Sequence, residues 1–179
     1  MKKGENSDMT KDAQGVIRQL DKQINKAGLR FAKKPILIGG MAMEYYGMRK
    51  AGADIDLVIC EEDYQALASK YPDKRKDIWG DLGVVIGPFE IWRCIMLLDY
   101  DFYIKDAVDE GVVFVVSLDR LLLMRVFAMD VPKYMDDLRL MKDYYHRMFR
   151  NPAYAQYMQS HIASYQNKEI VWGGEYLEE

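Results

Sequence analysis

Apolar residues recur at helical spacing from about Thr10 to Ala27, where Val16, Ile17, Leu20, Ile24 and Ala27 fall near one face with charges between them, and Gly28 ends the pattern. The short β-branched run Pro35-Ile-Leu-Ile then predicts a buried strand ending at Gly39-Gly40, and Met41 to Tyr46 predict a short helix that stops at Gly47. A basic connection, Met48 to Ala53, leads into a second strand over Asp54–Cys60, and Glu61 to Lys70 predict a helix. Tyr71 to Asp77 is charged and reads as an exposed loop. Two further strands are expected over Leu82–Ile86 and Phe89–Met96 around a Gly87-Pro88 turn, and a fifth over Val112–Val116. Ser117 is placed to cap a helix over Leu118–Met129, and helices over Lys133–Phe149 and Pro152–Gln166 precede an acidic tail expected to be loose.

This order of elements predicts an α/β (α+β) fold: a mixed sheet of about five strands flanked by helices. The expected organisation is a core with its N-terminal helix over 1–116, a helical part packed on it over 117–166, and the tail over 167–179. At 179 residues the chain is long enough to bury a core without staples. Its two cysteines, Cys60 and Cys94, sit inside apolar runs without metal-ligand spacing, as expected of buried thiols in a reducing compartment. The first residues carry two lysines but no apolar stretch behind them, and no run approaches the ~18 apolar residues of a membrane helix. A cytoplasmic protein without membrane attachment is expected. Formal net charge is −3, from 25 basic and 28 acidic residues, which does not favour nucleic acid as a partner but leaves room for a local basic patch.

Chemistry enters at Asp54-Ile55-Asp56. Side chains two apart in a strand share a face, so the two carboxylates stand together while Ile55 turns to the core. Two negative charges opening an apolar strand are either solvated at the strand mouth or hold a cation. Oxygen ligands of this kind suit Mg2+ (or Mn2+), which binds through one or two carboxylates plus substrate phosphates. Gly39-Gly40, between strand and helix, would let backbone N–H groups approach a phosphate closely.

Taken together, "ILIGGMAMEYYGMRKAGADIDLVI" resembles the signature of the polymerase-beta-like nucleotidyltransferase superfamily, and is most similar to its small bacterial members, including minimal and toxin-type nucleotidyltransferases. The resemblance implies a nucleotidyltransferase fold with C-terminal helices, two magnesium ions, and transfer of a nucleoside monophosphate from a nucleoside triphosphate with release of pyrophosphate. It assigns Gly39 and Gly40 to the triphosphate and Asp54 and Asp56 to the metal. The family's third carboxylate lies on a later strand beside the pair. Glu90, a lone acid in the apolar stretch Phe89-Glu-Ile-Trp-Arg, is the candidate for that metal ligand and for general base, unless it pairs with Arg93 or sits solvated at the strand mouth. Asp99 and Asp101 stand in reserve. "VSLDRLLLMRVFAMDVPKYMDDLRLM" resembles the family's helical continuation, in which Lys133 and Asp137 match, whereas Arg125 stands where lysine is usual and Tyr134 where an acid is usual. Arg49 matches an arginine ahead of the acidic pair, with Gly52 in place of the usual threonine; Arg49 and Lys133 are thereby candidate phosphate contacts.

His146 and His161 lack acid or cysteine neighbours at ligand spacing and read as helix-surface residues. Tyr154, Tyr157, His161 and Tyr165 read as one packing face, and Lys74-Arg75-Lys76 as solvated charge within reach of phosphates. The acceptor is left open among a small hydroxylated molecule, a protein side chain and a transfer-RNA end. Two other readings stand beside the enzyme: a catalytically silent scaffold that binds a nucleotide or a partner protein, and a toxin paired with an antitoxin-like protein.

Overall fold

The computed structural model describes residues 5–78 and 80–148, with Gln156, Gln159, Ser160 and Ala163 beyond them. In chain order the elements are α1 (Glu5–Lys26), β1 (Ile36–Leu37), α2 (Gly39–Tyr45), β2 (Ile55–Val58), α3 (Glu61–Lys70), a 3-10 turn (Pro72–Lys74), β3 (Arg75–Ile78), β4 (Asp81–Ile86), β5 (Phe89–Ile95), β6 (Leu98–Asp99), α4 (Tyr100–Tyr103), β7 (Val108–Asp109), β8 (Phe114–Val115), α5 (Leu118–Phe127) and α6 (Pro132–Met148). The helix expected over 152–166 and the tail over 167–179 lie outside the described residues, apart from the four positions named. Two compact units divide between Met141 and Lys142, so α5 and most of α6 belong to the same unit as the sheet. The candidate site lies in this first unit.

One mixed sheet carries all eight described strands in the order β3-β4-β5-β2-β1-β8-β7, with β6 paired to β5. The α/β expectation is met, but the strand number is larger than the five expected, for a physical reason. β6 and β7 are two residues long, too short for any periodicity, and β3 reads Arg-Lys-Asp-Ile, a polar sequence on the sheet's edge with one neighbour. The segment expected as a loop over 71–77 is therefore a 3-10 turn followed by an edge strand.

Apolar burial explains why the remaining elements form where they do. Val16, Ile17, Leu20 and Ile24, spaced along one face of α1, are buried, as are Ile36, Leu37 and Ile38 around β1 and Ile55, Leu57 and Val58 in β2. Ser117 caps α5, its side-chain oxygen accepting from the N–H of Arg120 at 3.4 Å. The central pairings decide the site: β2 runs antiparallel to β1 and parallel to β5, with Asp56 opposite Glu90 and Val58 opposite Trp92. Among the described residues no helix is long and apolar enough to cross a membrane.

Candidate active site

β1 ends at Leu37, and the N–H of Ile38 still donates to the carbonyl of Asp56 at 3.0 Å. The chain then turns into α2 across the Asp56 side chain. Gly39 makes that turn with φ +66°, in the left-handed region, and a β-carbon on it would lie 2.1 Å from Asp56 Oδ2 and 2.8 Å from Cγ. Glycine is required at 39 because the carboxylate of Asp56 occupies the space that a side chain would need. Gly40 is different: a β-carbon there would meet Arg49 Nη1 at 3.5 Å, an ordinary contact.

Asp54 is exposed just before β2, Asp56 is half-buried within it, and Glu90 is half-buried on β5. Register partners on neighbouring strands share a face, so Asp56 and Glu90 point to the same side of the sheet. Burial pushes the Asp56 carboxyl above the usual aspartate range, and the negative charges of Glu90 and Asp54 push it further. Two groups draw it back: the Trp92 indole N–H, from outside hydrogen-bonding geometry, and the Arg125 guanidinium. Trp92 itself is buried, and its indole nitrogen has no hydrogen-bond partner among the described residues.

The reserve acids do not reach this point. Asp99 pairs with Cys94, four residues along β5 from Glu90, which is about 13 Å at the usual rise per strand residue. Its carboxylate caps α4 by accepting from the N–H of Phe102 at 3.1 Å. Asp99 and Asp101 line a separate cleft of about 290 Å³ with Cys60, Glu61, Arg93 and Tyr100, at the far end of β2. Nor does Arg93 neutralise Glu90, since its guanidinium donates to Glu61. The partner of Glu90 is Lys76 on β3, whose ammonium donates to Oε1 at 2.6 Å.

Behind the carboxylates sits a second charged cluster. Arg49 donates from Nε and Nη2 to the two oxygens of Asp137, at 2.6 and 3.0 Å, and from Nη1 to the carbonyl of Lys50. Arg125 Nε lies 2.8 Å from Asp137 Oδ2, and both side chains are almost fully buried, at 4% and 3% exposure. Burial weakens the hold of Arg125 on its proton, Asp137, Tyr134 and Asp56 strengthen it, and Arg49 weakens it again. The hydrogen bond to Asp137 raises Arg49 above the ordinary arginine range. Arg125 thus pairs with Asp137 on α6, and its charge also acts on Asp56 on β2.

The structure brings Gly39, Gly40, Asp54, Asp56, Glu90 and Arg49 to one end of β1, β2 and β5. The Lys133 side chain is exposed on α6, with its ammonium 5.7 Å from the centre of the Tyr134 ring, whose face also receives Arg125 at 4.9 Å. The sequence marks Lys76 only as part of the charged run Lys74-Arg75-Lys76, without its tie to Glu90, and does not mark Trp92. Their signal was Gly83, a lone glycine in the apolar run of β4, which marks a close approach.

Among the described residues no group of three or more His, Cys, Asp or Glu side chains forms a ready-made metal cage. The donor set nonetheless fits an ion that arrives with its substrate. Two carboxylates in register and a third two residues away supply oxygen ligands whose mutual repulsion a divalent cation would relieve, and magnesium needs only one or two protein carboxylates. Comparison with protein-family models, curated proteins and solved structures returns no match.

Proposed function

We propose that this chain is a magnesium-dependent nucleotidyltransferase, moving a nucleoside monophosphate from a nucleoside triphosphate to a hydroxyl acceptor. The observation that carries the reading is the register of Asp56 against Glu90, with the charge of Asp54 acting on Asp56 and Gly39 closed over the Asp56 carboxylate. Such an arrangement concentrates negative charge beside a backbone turn, which is of little use to folding but suits a site that receives a metal-bound polyphosphate. Bound magnesium would neutralise the phosphate oxygens and hold the attacking and leaving oxygens in line.

Asp54 and Asp56 would ligate the metal, and Glu90 would join them and take the proton of the acceptor hydroxyl. The acceptor oxygen bonds to the α-phosphorus as the bond from that phosphorus to its bridging oxygen breaks, and pyrophosphate departs with the bond's electrons. Arg49 and the backbone at Gly40 border the space where the triphosphate would lie. To contact phosphate Arg49 would have to loosen its hold on Asp137, and Lys133 its contact with the Tyr134 ring.

The test is pyrophosphate release across nucleoside triphosphates and the three acceptor classes, with wild type and Glu90→Gln compared at saturating magnesium. Glu90→Gln keeps the shape of the side chain and removes a ligand charge and the base, so turnover should fall by at least about a hundredfold. Undiminished turnover would remove Glu90 from the mechanism. A second reading, a silent nucleotide- or partner-binding scaffold, draws support from the two cations already beside the carboxylates, Lys76 on Glu90 and Arg125 near Asp56. Nucleotide binding without turnover in any acceptor class would favour it.

A further inference from the structure

Lys76 reaches Glu90 through a gap made for it. Its register partner on β4 is Gly83, which is in turn opposite Trp92 on β5. A β-carbon on Gly83 would lie 2.7 Å from the Trp92 ring and 3.2 Å from the carbonyl oxygen of Lys76, so only glycine lets the indole lie across β4. The lysine ammonium sits 5.4 Å from the centre of that ring and donates to Glu90 Oε1 at 2.6 Å. Arg75 and Asp77, to either side on β3, pair with each other at 2.7 Å, so the β3 cation that meets Glu90 is Lys76.

Two features make this contact exchangeable. β3 is the edge strand of the sheet, and the Lys76 and Glu90 side chains keep 33% and 24% of their exposure, so water can replace either partner. A lysine ammonium is also a compact charge on a flexible stem, which suits phosphate as well as carboxylate. Beside it, the buried Trp92 N–H still lacks an acceptor among the described residues.

We propose that Lys76 is the resident counter-ion of the Asp56–Glu90 pair, that a divalent cation must displace it, and that the freed ammonium then becomes a ligand to the triphosphate. The inference rests on the reading of this site as a metal-dependent nucleotide site. Lys76 neutralises part of the repulsion between Glu90 and Asp56 while no metal is bound. Metal and ammonium compete for the same oxygen, and the triphosphate supplies the ammonium with a new partner only a side-chain rotation away.

The experiment is Mn2+ titration followed by electron paramagnetic resonance, on nucleotide-free wild type, Lys76→Met, Lys76→Arg and Asp56→Asn, each checked for native circular dichroism. Lys76→Met removes the competitor and should bind Mn2+ at least about tenfold more tightly than wild type. Lys76→Arg, which keeps the charge, should stay near wild type, and Asp56→Asn should lose binding. With a non-hydrolysable nucleoside triphosphate present, the order should reverse, Lys76→Met binding the metal–nucleotide more weakly than wild type. Equal Mn2+ affinity in wild type and Lys76→Met, with binding lost in Asp56→Asn, would overturn the inference and leave the metal site standing. Mn2+ binding by none of the four would overturn both. Equal metal–nucleotide affinity in Lys76→Met and wild type would overturn the transfer of the ammonium to phosphate.

Discussion

Alanine at position 39 and alanine at position 40 should have opposite consequences, although the residues are adjacent glycines. At 39 the substitution meets two costs. An L-residue held at φ +66° loses about 1–2 kcal/mol, and the new β-carbon lands 2.1 Å from Asp56 Oδ2, which forces the carboxylate aside at a cost of about 1–3 kcal/mol, as in other overpacked sites. Gly39→Ala should therefore destabilise the protein by about 2–5 kcal/mol. Gly40→Ala meets only Arg49 Nη1 at 3.5 Å, and alanine favours the helix, so it should be neutral or stabilising by up to about 1 kcal/mol. The steric part of the cost at 39 belongs to Asp56. In an Asp56→Ala background, Oδ2 and Cγ are gone and only Cβ, at 3.0 Å, remains, so Gly39→Ala should then cost little more than its backbone share. Urea denaturation of the four proteins of this double-mutant cycle, followed by far-ultraviolet circular dichroism, should give a coupling of about 1–3 kcal/mol. Additive effects, or a Gly40→Ala protein as unstable as Gly39→Ala, would refute the claim that Gly39 exists to accommodate the Asp56 carboxylate.

The buried cluster behind the site gives a second expectation: Asp137→Ala strands Arg125 as an uncompensated buried charge and frees Arg49, and should lower stability by about 3–5 kcal/mol, read as a loss of thermal and urea resistance. A third concerns pH. The folded-state pKa of Asp56 is raised, so folding favours its neutral form; the penalty is absent below about pH 3.9, the unfolded value, and complete above the raised value. Metal-free Asp56→Asn should therefore be more stable than wild type near neutrality, with the difference vanishing in acid; a difference that grows as pH falls would contradict the sign. Finally, Cys60 and Cys94 are buried, and burial pushes the Cys60 thiol up, so both should react with a thiol reagent far more slowly in the native protein than in urea.

Much of the architecture is legible in the sequence because it is local. The face of α1 formed by Val16, Leu20 and Ile24, the β-branched runs of β1 and β2, and the Ser117 cap are read from neighbours a few residues apart. The nearness of Asp54 to Asp56 is legible for the same reason, and the charge of Asp54 does push the Asp56 carboxyl up, although the strand itself begins only at Ile55. What the sequence does not supply is the lateral order of strands. Glu90 stands next to Asp56 only because β5 inserts beside β2, ahead of β4 and β3, and that order depends on how distant apolar faces pack together. Glu90 itself could be nominated as a lone acid in an apolar strand, but its partner could not: the alternative to a metal-ligand role was pairing with Arg93, three residues along the same strand, or solvation, whereas Lys76 comes from an edge strand with no alternation to reveal it. Arg125 carried a visible signal, a charge inside Leu-Leu-Leu-Met-Arg-Val-Phe, and its burial against Asp137 is what such a position requires.

The central claim is that the Asp54–Asp56–Glu90 face receives a metal-bound nucleoside triphosphate. Calorimetric titration with a non-hydrolysable triphosphate, with and without magnesium, tests it without knowledge of the acceptor. The account predicts binding to wild type that strengthens at least about tenfold when magnesium is added, and an Asp54→Ala/Asp56→Ala double variant that folds but gains nothing from magnesium. Nucleotide affinity that is the same with and without magnesium, and the same in wild type and double variant, would contradict it.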